Sequence, residues 1–478
     1  MTAATFATST GTATGATAVP TAATATPTEA VTGPRVRPYQ SYVYAYPHKT
    51  SYRPLADRPA LRDLWHGEDK SALSLYLHIP FCEVRCGFCN LFTRIGAPDG
   101  LTGRYLDALD RQAVAVREAL DGAGAGDSPV RFANAAFGGG TPTFLTADEL
   151  TRLCDIAERR MGADLRAVPL SVEASPATAT ADRLAVLAER GATRLSIGVQ
   201  SFVDAEARAA VRPQRRADVE AALGRIREAR IPVLNIDLIY GIDGQTPATW
   251  STSLDAALAW APEELYLYPL YVRPLTGLAR RTAHTDTEWD QQRLNLYRQG
   301  RDHLLDHGYE QVSMRMFRRA GTAPQGPDDH ACQTDGMIGL GCGARSYTSA
   351  LHYSFDYAVD MGEIRAIIDD YTATDDFGHA AHGRYVDGRE ARRRHLLQCL
   401  LQAHGMPLAD YRERFGTDPH EDFPTELAAF AARGWLEEAW TESGELRLTP
   451  EGLAHSDALG PALFSPAVRA AMAAYDPK

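Results

Sequence analysis

Six short apolar runs constrain this chain more than anything else in it. They are LSLYLHIP (73–80), FANAAFGGG (132–140), PLSVEASP (169–176), TRLSIGVQ (193–200), VLNIDLIYG (233–241) and ELYLYPLYV (264–272). Between them lie longer stretches such as ADRLAVLAERG (181–191) and DVEAALGRIREARI (218–231), whose apolar residues recur at helical spacing. Strand–helix units in series fold as a parallel sheet with right-handed crossovers. Six such units predict an α/β fold built as a partial (β/α)6 TIM-like barrel. In barrels of this kind, function is built at the C-terminal ends of the strands.

Directly after the first run comes FCEVRCGFCN, with Cys82, Cys86 and Cys89 inside eight positions. The other four cysteines, Cys154, Cys332, Cys342 and Cys399, are scattered. In a large chain this pattern favours metal or redox use over a disulfide framework. Three thiolates can hold a [4Fe–4S] cube by three corners and leave the fourth iron open to a small molecule. The same thiolates also allow a zinc site completed by His78 or a remote cysteine. The ends of the later runs carry further polar residues. FGGGTPTFL places Gly139, Gly140 and Thr141 after the second run, where residues without Cβ let a backbone approach a ligand closely. VEASP places Glu173 after the third, SIGVQSF places Gln200 after the fourth, Arg212 follows in AAVRPQ, and NIDLIYGIDGQT carries Asp237. A carboxylate at a strand mouth suits ribose hydroxyls.

The flanking segments differ in texture. Residues 1–36 are Thr/Ala-rich, nearly uncharged and without apolar periodicity, and read as a disordered tail without the basic and apolar regions of a signal peptide. Residues 37–72 contain five tyrosines in YQSYVYAYPHKTSY and read as an extension that packs on the barrel or contributes to a pocket. The barrel is assigned to 73–320, and a Gly-rich connecting region completing the active site to 321–382. Residues 383–478 read as helices with a two-strand wing, a small winged-helix-like domain. That fold often binds DNA, but a net charge of −12 argues against a nucleic-acid partner. No apolar run approaches the roughly 20 residues of a membrane span, and the protein is expected to be cytoplasmic.

Taken together, LYLHIPFC, GGGTPT, VEASP, RLSIGVQSF and NIDLIYGIDGQT resemble, in order and spacing, the oxygen-independent coproporphyrinogen III oxidase-like (HemN/HemW-like) branch of the radical S-adenosylmethionine (SAM) superfamily. The resemblance runs over about residues 50–460 and implies a [4Fe–4S] cluster on Cys82, Cys86 and Cys89. It also implies reductive cleavage of SAM to a 5′-deoxyadenosyl radical, a small-molecule substrate, and an electron donor such as flavodoxin or ferredoxin. It places Tyr76, Phe88, Gly139 and Glu173 against the cluster-bound SAM. Gly140, Thr141, Gln200, Arg212 and Asp237 fall on positions around a second SAM, and Arg345 on a further SAM contact. Porphyrinogen oxidation, haem handing-over by a chaperone, and methyl or methylene transfer are the activities it leaves open. The chain departs from the family pattern in three places. Leu91 stands where the oxidase has a fourth cysteine, the chaperone's H-N-x-x-Y-W segment is replaced by DDHACQTDG, and YEQVSMRMFRR replaces the usual YEISNFA-like stretch. Arg315, Arg318 and Arg319 in that replacement suit either an anionic substrate group or structural ion pairs.

Overall fold

The computed structural model describes residues 36–122, 129–280, 287–323, 331–438 and 444–476. The tail expected over 1–36 lies outside them except for Val36. After a two-residue strand, β1 (Arg53–Pro54), the six apolar runs form β2 (Leu73–Ile79), β3 (Phe132–Gly139), β4 (Leu170–Ala174), β5 (Ala192–Gln200), β6 (Val233–Tyr240) and β7 (Glu264–Pro269). They lie side by side in sequence order, all parallel. The longer helices between them are α1 (Leu101–Asp121), α2 (Ala147–Asp155), α3 (Ala181–Glu189), α4 (Arg216–Glu228) and α5 (Pro247–Leu258); α6 (Thr287–Asp306) follows β7.

Local chemistry sets these boundaries. Thr146 and Glu149 form a reciprocal capping box that starts α2. Thr246 caps α5, with Pro247 in the first turn, where its missing N–H is not needed. In α1, Leu101, Tyr105, Leu109, Ala113, Val116 and Leu120 are buried at three- and four-residue intervals, which turns one face onto the sheet. Along β2, Leu73, Leu75, Leu77 and Ile79 are at most 1% exposed while Tyr76 is only half-buried. The strand is covered by helices on one face and turns Tyr76 inward on the other.

The barrel does not close on itself. β7 pairs antiparallel with β9 (Met316–Arg319), which pairs with β8 (Tyr309–Gln311). At the opposite edge, β10 (Met337–Leu340) runs parallel to β2, followed outward by antiparallel β11 (Arg345–Tyr347), β12 (Leu351–Ser354), β13 (His382–Tyr385) and β1. The region expected as a Gly-rich connection therefore adds β10, β11 and β12 to the same sheet, and β13 begins at its last residue. Glycine permits the reversal, because a Cβ on Gly339 would stand 2.1 Å from the Arg345 carbonyl oxygen.

The C-terminal segment carries helices at Gly388–Leu400, Leu408–Phe415, Pro424–Ala431, Ser456–Ala462 and Pro466–Ala473. Its wing is a two-residue ladder of β14 (Met406–Pro407) with β15 (Glu445–Leu446), beside a bridge between Leu436 and Leu448. Residues 37–478 form one compact unit. Among the described residues, no helix is long and apolar enough to cross a membrane.

Candidate functional site

The loop after β2 is pinned from three sides. The Gly140 and Thr141 amides donate to the carbonyls of Ile79 and Phe81 at 2.8 and 2.9 Å, which ties the end of β3 to the start of the loop. Cys82 N–H donates to Arg94 O at 3.0 Å and Arg94 N–H to Pro80 O at 2.6 Å, closing the loop's base. At its tip, the Gly87 N–H donates to Ala210 O at 3.0 Å and the Gly87 carbonyl accepts from Leu278 N–H at 2.7 Å. A Cβ on Gly87 would meet Val211 Cγ2 at 2.7 Å, so only glycine fits there. Phe88 packs beside this tip on Ala210, Ile239, Ile242, Leu270 and Leu278.

This docking half-buries all three loop thiols. Cys82 Sγ lies 3.4 Å from Thr141 Oγ1, Cys89 Sγ 3.8 Å from Thr93 Oγ1, and Arg212 Nη1 donates to Cys86 Sγ at 3.0 Å. Burial pushes Cys82 up to about 12, with Thr141 opposing and Cys89 and Cys86 adding to the rise. Burial likewise raises Cys89, and Cys86 again contributes. The three sulfurs thus lie within electrostatic reach of one another, in surroundings that hold Cys82 and Cys89 protonated until a cation arrives. Among the described residues, no three His, Cys, Asp or Glu side chains converge as they would around a single ion. Three thiols on one loop are the donor set of an iron–sulfur cluster's cysteine corners. His78 does not serve as a fourth ligand here. Its Nδ1 meets the Tyr76 hydroxyl at 3.2 Å and its Nε2 the Phe92 carbonyl at 3.3 Å. Burial lowers its pKa to about 4, and added Cβ atoms on Gly139 and Gly343 would strike its ring at 2.5 and 2.6 Å.

Inside the barrel, alternate residues of neighbouring strands build a polar floor. Tyr76 is beside Ala136, Glu173 beside Ser196, Ser196 beside Asn235, and Asp237 beside Tyr266. Gly139, at φ +116°, donates its N–H to Glu173 Oε2 at 3.0 Å. Enclosure in the barrel pushes the Glu173 carboxyl up to about 7; the Gly139 amide opposes this and Asp237 adds to it. Water still reaches the side chain through the open lumen. Burial pushes Asp237 up to about 6 against the hydrogen bond from Asn235 Nδ2 at 2.7 Å. Gln200 ends β5 at φ +70°, where a register shift after Gly198 turns its amide back over that glycine. Arg212 Nη2 donates to the Gly198 carbonyl.

The expected residues therefore gather at one mouth. Cys82, Cys86, Cys89, Phe88, Gly140, Thr141 and Arg212 surround the loop, Tyr76, Gly139, Glu173 and Asp237 line the lumen, and Gln200 joins the two. Arg345, on β11, lies within electrostatic reach of Tyr76 and His78 and donates to the Tyr44 hydroxyl at 2.9 Å. The basic stretch after β8 is taken up in ion pairs: Arg315 with Asp457, Arg318 with Glu264 at 3.5 Å, and Arg319 with Glu263 at 2.7 Å. Residues that spacing did not single out are Asn235, which bonds both Ser196 and Asp237 at 2.7 Å, and the extension's Tyr42, which packs edge-on to Tyr268 of β7. The tyrosine-rich composition of the extension was the available signal for the second.

A model of the radical SAM superfamily matches residues 76–257, and one of the HemN C-terminal domain matches residues 386–455. The chain is 27% identical over 367 residues to the heme chaperone HemW of Bacillus subtilis, covering 76% of this chain and 92% of that protein. It is 28% identical over 432 residues to the oxygen-independent coproporphyrinogen III oxidase of Pseudomonas aeruginosa, covering 85% and 88%. To the enzyme of that name from Paracoccus denitrificans it is 34% identical over 300 residues, covering 60% and 62%. The solved structure of coproporphyrinogen III oxidase (HemN) from Escherichia coli superposes with a TM-score of 0.74 at 22% identity, covering 88% of this chain and 96% of that one. That likeness shows the fold.

Proposed function

We propose that this protein, which belongs to the radical SAM superfamily and carries the C-terminal domain of its HemN branch, holds a [4Fe–4S] cluster on Cys82, Cys86 and Cys89. When bound, such a cluster would supply the one-electron reduction that splits SAM into methionine and a 5′-deoxyadenosyl radical, the hydrogen-abstracting chemistry directed at a small organic substrate. The observation that carries this reading is the grouping of three half-buried thiols at the C-terminal mouth of the parallel strands, with Arg212 against Cys86 at 3.0 Å.

The chain's own residues then have distinct tasks. Glu173 and Asp237 give the lumen carboxylates that suit an ammonium group or ribose hydroxyls. The bare backbone of Gly139 and Gly140 lets a ligand come close, and Tyr76 and Phe88 supply walls. Gly140, Thr141, Gln200, Arg212 and Asp237 remain the proposed surround of a second SAM, and Thr141 and Arg212 also steady the sulfurs of Cys82 and Cys86. Arg345 completes the proposed set, within electrostatic reach of Tyr76. A flavodoxin- or ferredoxin-like donor is the proposed electron source. The reaction class is that of an oxygen-independent coproporphyrinogen dehydrogenase.

Anaerobic reduction with SAM and coproporphyrinogen III, read by mass spectrometry, tests this. The reading expects 5′-deoxyadenosine together with a substrate-derived product; its absence from a fully iron-loaded protein would contradict it. A second reading, a haem chaperone, is supported by the match over 92% of the Bacillus subtilis protein. Tight haem binding without substrate turnover would favour it.

A further inference from the structure

A cavity of about 280 Å³ occupies the lower half of the barrel lumen, toward the N-terminal ends of the strands. Ser171, in its wall, precedes Glu173 by two residues on β4, and Tyr266 neighbours Asp237 across the β6–β7 ladder. The cavity therefore lies one residue layer beneath those carboxylates. Its volume is many times the roughly 30 Å³ share of one water and reaches the lower end of ordinary ligand pockets.

Three charged side chains line it, Arg194, Glu264 and Arg318. Glu264 is 1% exposed and serves both arginines. Arg194 Nε donates to its Oε2 at 2.7 Å, whereas Arg318 Nε stands 3.5 Å from its Oε1. Two guanidiniums against one carboxylate leave the wall with a positive charge in excess. Arg194 spends a further N–H on Ser171 Oγ at 3.1 Å. Among the described residues Arg318 donates no side-chain hydrogen bond, and its Nε is buried without a partner. The next carboxylates up the lumen, Asp237 and Glu173, take hydrogen bonds from Asn235 and the Gly139 amide. Their charge reaches Arg194, but neither stands at ion-pair distance from Arg318. A guanidinium presents its N–H donors in a rigid fork that matches a carboxylate, and the fork of Arg318 is unspent.

The rest of the wall is largely apolar. Tyr266 and Met316 face each other across the β7–β9 ladder, with Ala136 and Pro169 beside them. Tyr266 stacks on Tyr268 at 5.8 Å, and Tyr268 packs in the same cluster as Phe88 of the cysteine loop. One aromatic wall thus runs from the cavity up to the loop. Glu264 to Tyr268 is four residues of strand, a rise of about 13 Å.

We infer that the lower lumen is the substrate's acid subsite: Arg318, backed by Arg194, takes a carboxylate whose apolar body lies along Tyr266 and Tyr268 toward the cysteine loop. The inference rests on reading the barrel mouth as the catalytic centre, and it adds the substrate class, an elongated carboxylic acid with an apolar body. Arg318 is a specificity-determining residue.

The test uses the full chain, purified anaerobically and left unreduced, with iron and sulfide measured first. Equilibrium binding of 4-phenylbutyrate is compared with that of its neutral isostere, 4-phenylbutyramide. Wild type should prefer the acid by about tenfold or more, the scale of a charge-assisted hydrogen bond. Arg318→Met should erase the preference, Arg318→Lys should retain it in part, and SAM affinity should stay within about twofold in both. Because Glu264 keeps Arg194, the ligand-free Arg318→Met protein should melt no lower than wild type. Absence of an acid preference in wild type, its persistence in Arg318→Met, or its loss only together with SAM affinity would overturn the inference. Iron-free protein that keeps the acid preference would support the subsite and sink the cluster reading, so the two failures are distinguishable.

Discussion

Glu173 shows how much one side chain's surroundings decide. Its strand position made it a candidate from sequence, because a carboxylate at the end of an apolar strand has no place in a core. The sequence could not reveal that enclosure beside Gly139 and Asp237 raises its pKa from the ordinary 4.5 to about 7. With the folded pKa above the unfolded one, the folded state holds an extra proton between those values. The stability this group contributes is full below about 4.5 and is lost as pH rises through about 7. Urea unfolding of the ligand-free protein should therefore show this component of stability declining across that window, and Glu173→Gln should flatten the decline. A Glu173→Gln protein with an unchanged pH profile would refute the assignment. Cation binding at this site should show the opposite trend, strengthening as pH rises through 7 and the carboxylate forms.

At the scale of elements, the cysteine loop depends on close backbone approach. Gly87 touches Ala210 and Val211 too tightly for any Cβ, and Val211 itself sits at φ +54°. Gly87→Ala should cost about 1–3 kcal/mol, the usual range for overpacking, and should lower the iron retained after anaerobic desalting. Retention equal to wild type would show that the tip can move without disturbing the sulfurs. The barrel strands were legible because parallel strands covered on both faces are near-continuous apolar runs, and the structure places all six within three residues of the expected bounds. The strands added from Tyr309 onward were not. β8, β9, β10 and β11 are three or four residues long, and β9 and β10 join the sheet only by pairing with the barrel-edge strands β7 and β2, far away in sequence. No local pattern announces such a strand.

Across the whole molecule, Asp457 links three segments that lie far apart in the chain. Its carboxylate pairs with Arg315 after β8 and accepts from the Tyr271 hydroxyl at 2.5 Å. Its carbonyl accepts from the amides of Gln40 and Ser41 in the extension. Arg315 and Asp457 are 5% and 1% exposed, so removing one strands the other as a buried charge. Asp457→Ala should therefore lose about 3–5 kcal/mol of stability in urea unfolding, and a loss below about 1 kcal/mol would show the pair to be incidental. The same pairing explains why the arginines of YEQVSMRMFRR could not be sorted from sequence: their partners sit as many as 142 positions away. The site was more legible than its surroundings, because the three cysteines and the strand-end glycines are fixed by short spacings. The extension that brings Lys49 and Tyr44 to Tyr357 and Arg345 is placed only by tertiary packing.

The central claim, that three cysteines hold one cluster at the barrel mouth, is tested most directly by metal content. Anaerobically reconstituted wild-type protein should carry about four irons and four sulfides per chain. Cys86→Ala, Cys82→Ala and Cys89→Ala should each lose most of both and form no 5′-deoxyadenosine, while Cys332→Ala keeps the full complement. Stoichiometric zinc in place of iron, or wild-type iron and sulfide in the Cys86→Ala protein, would contradict the account.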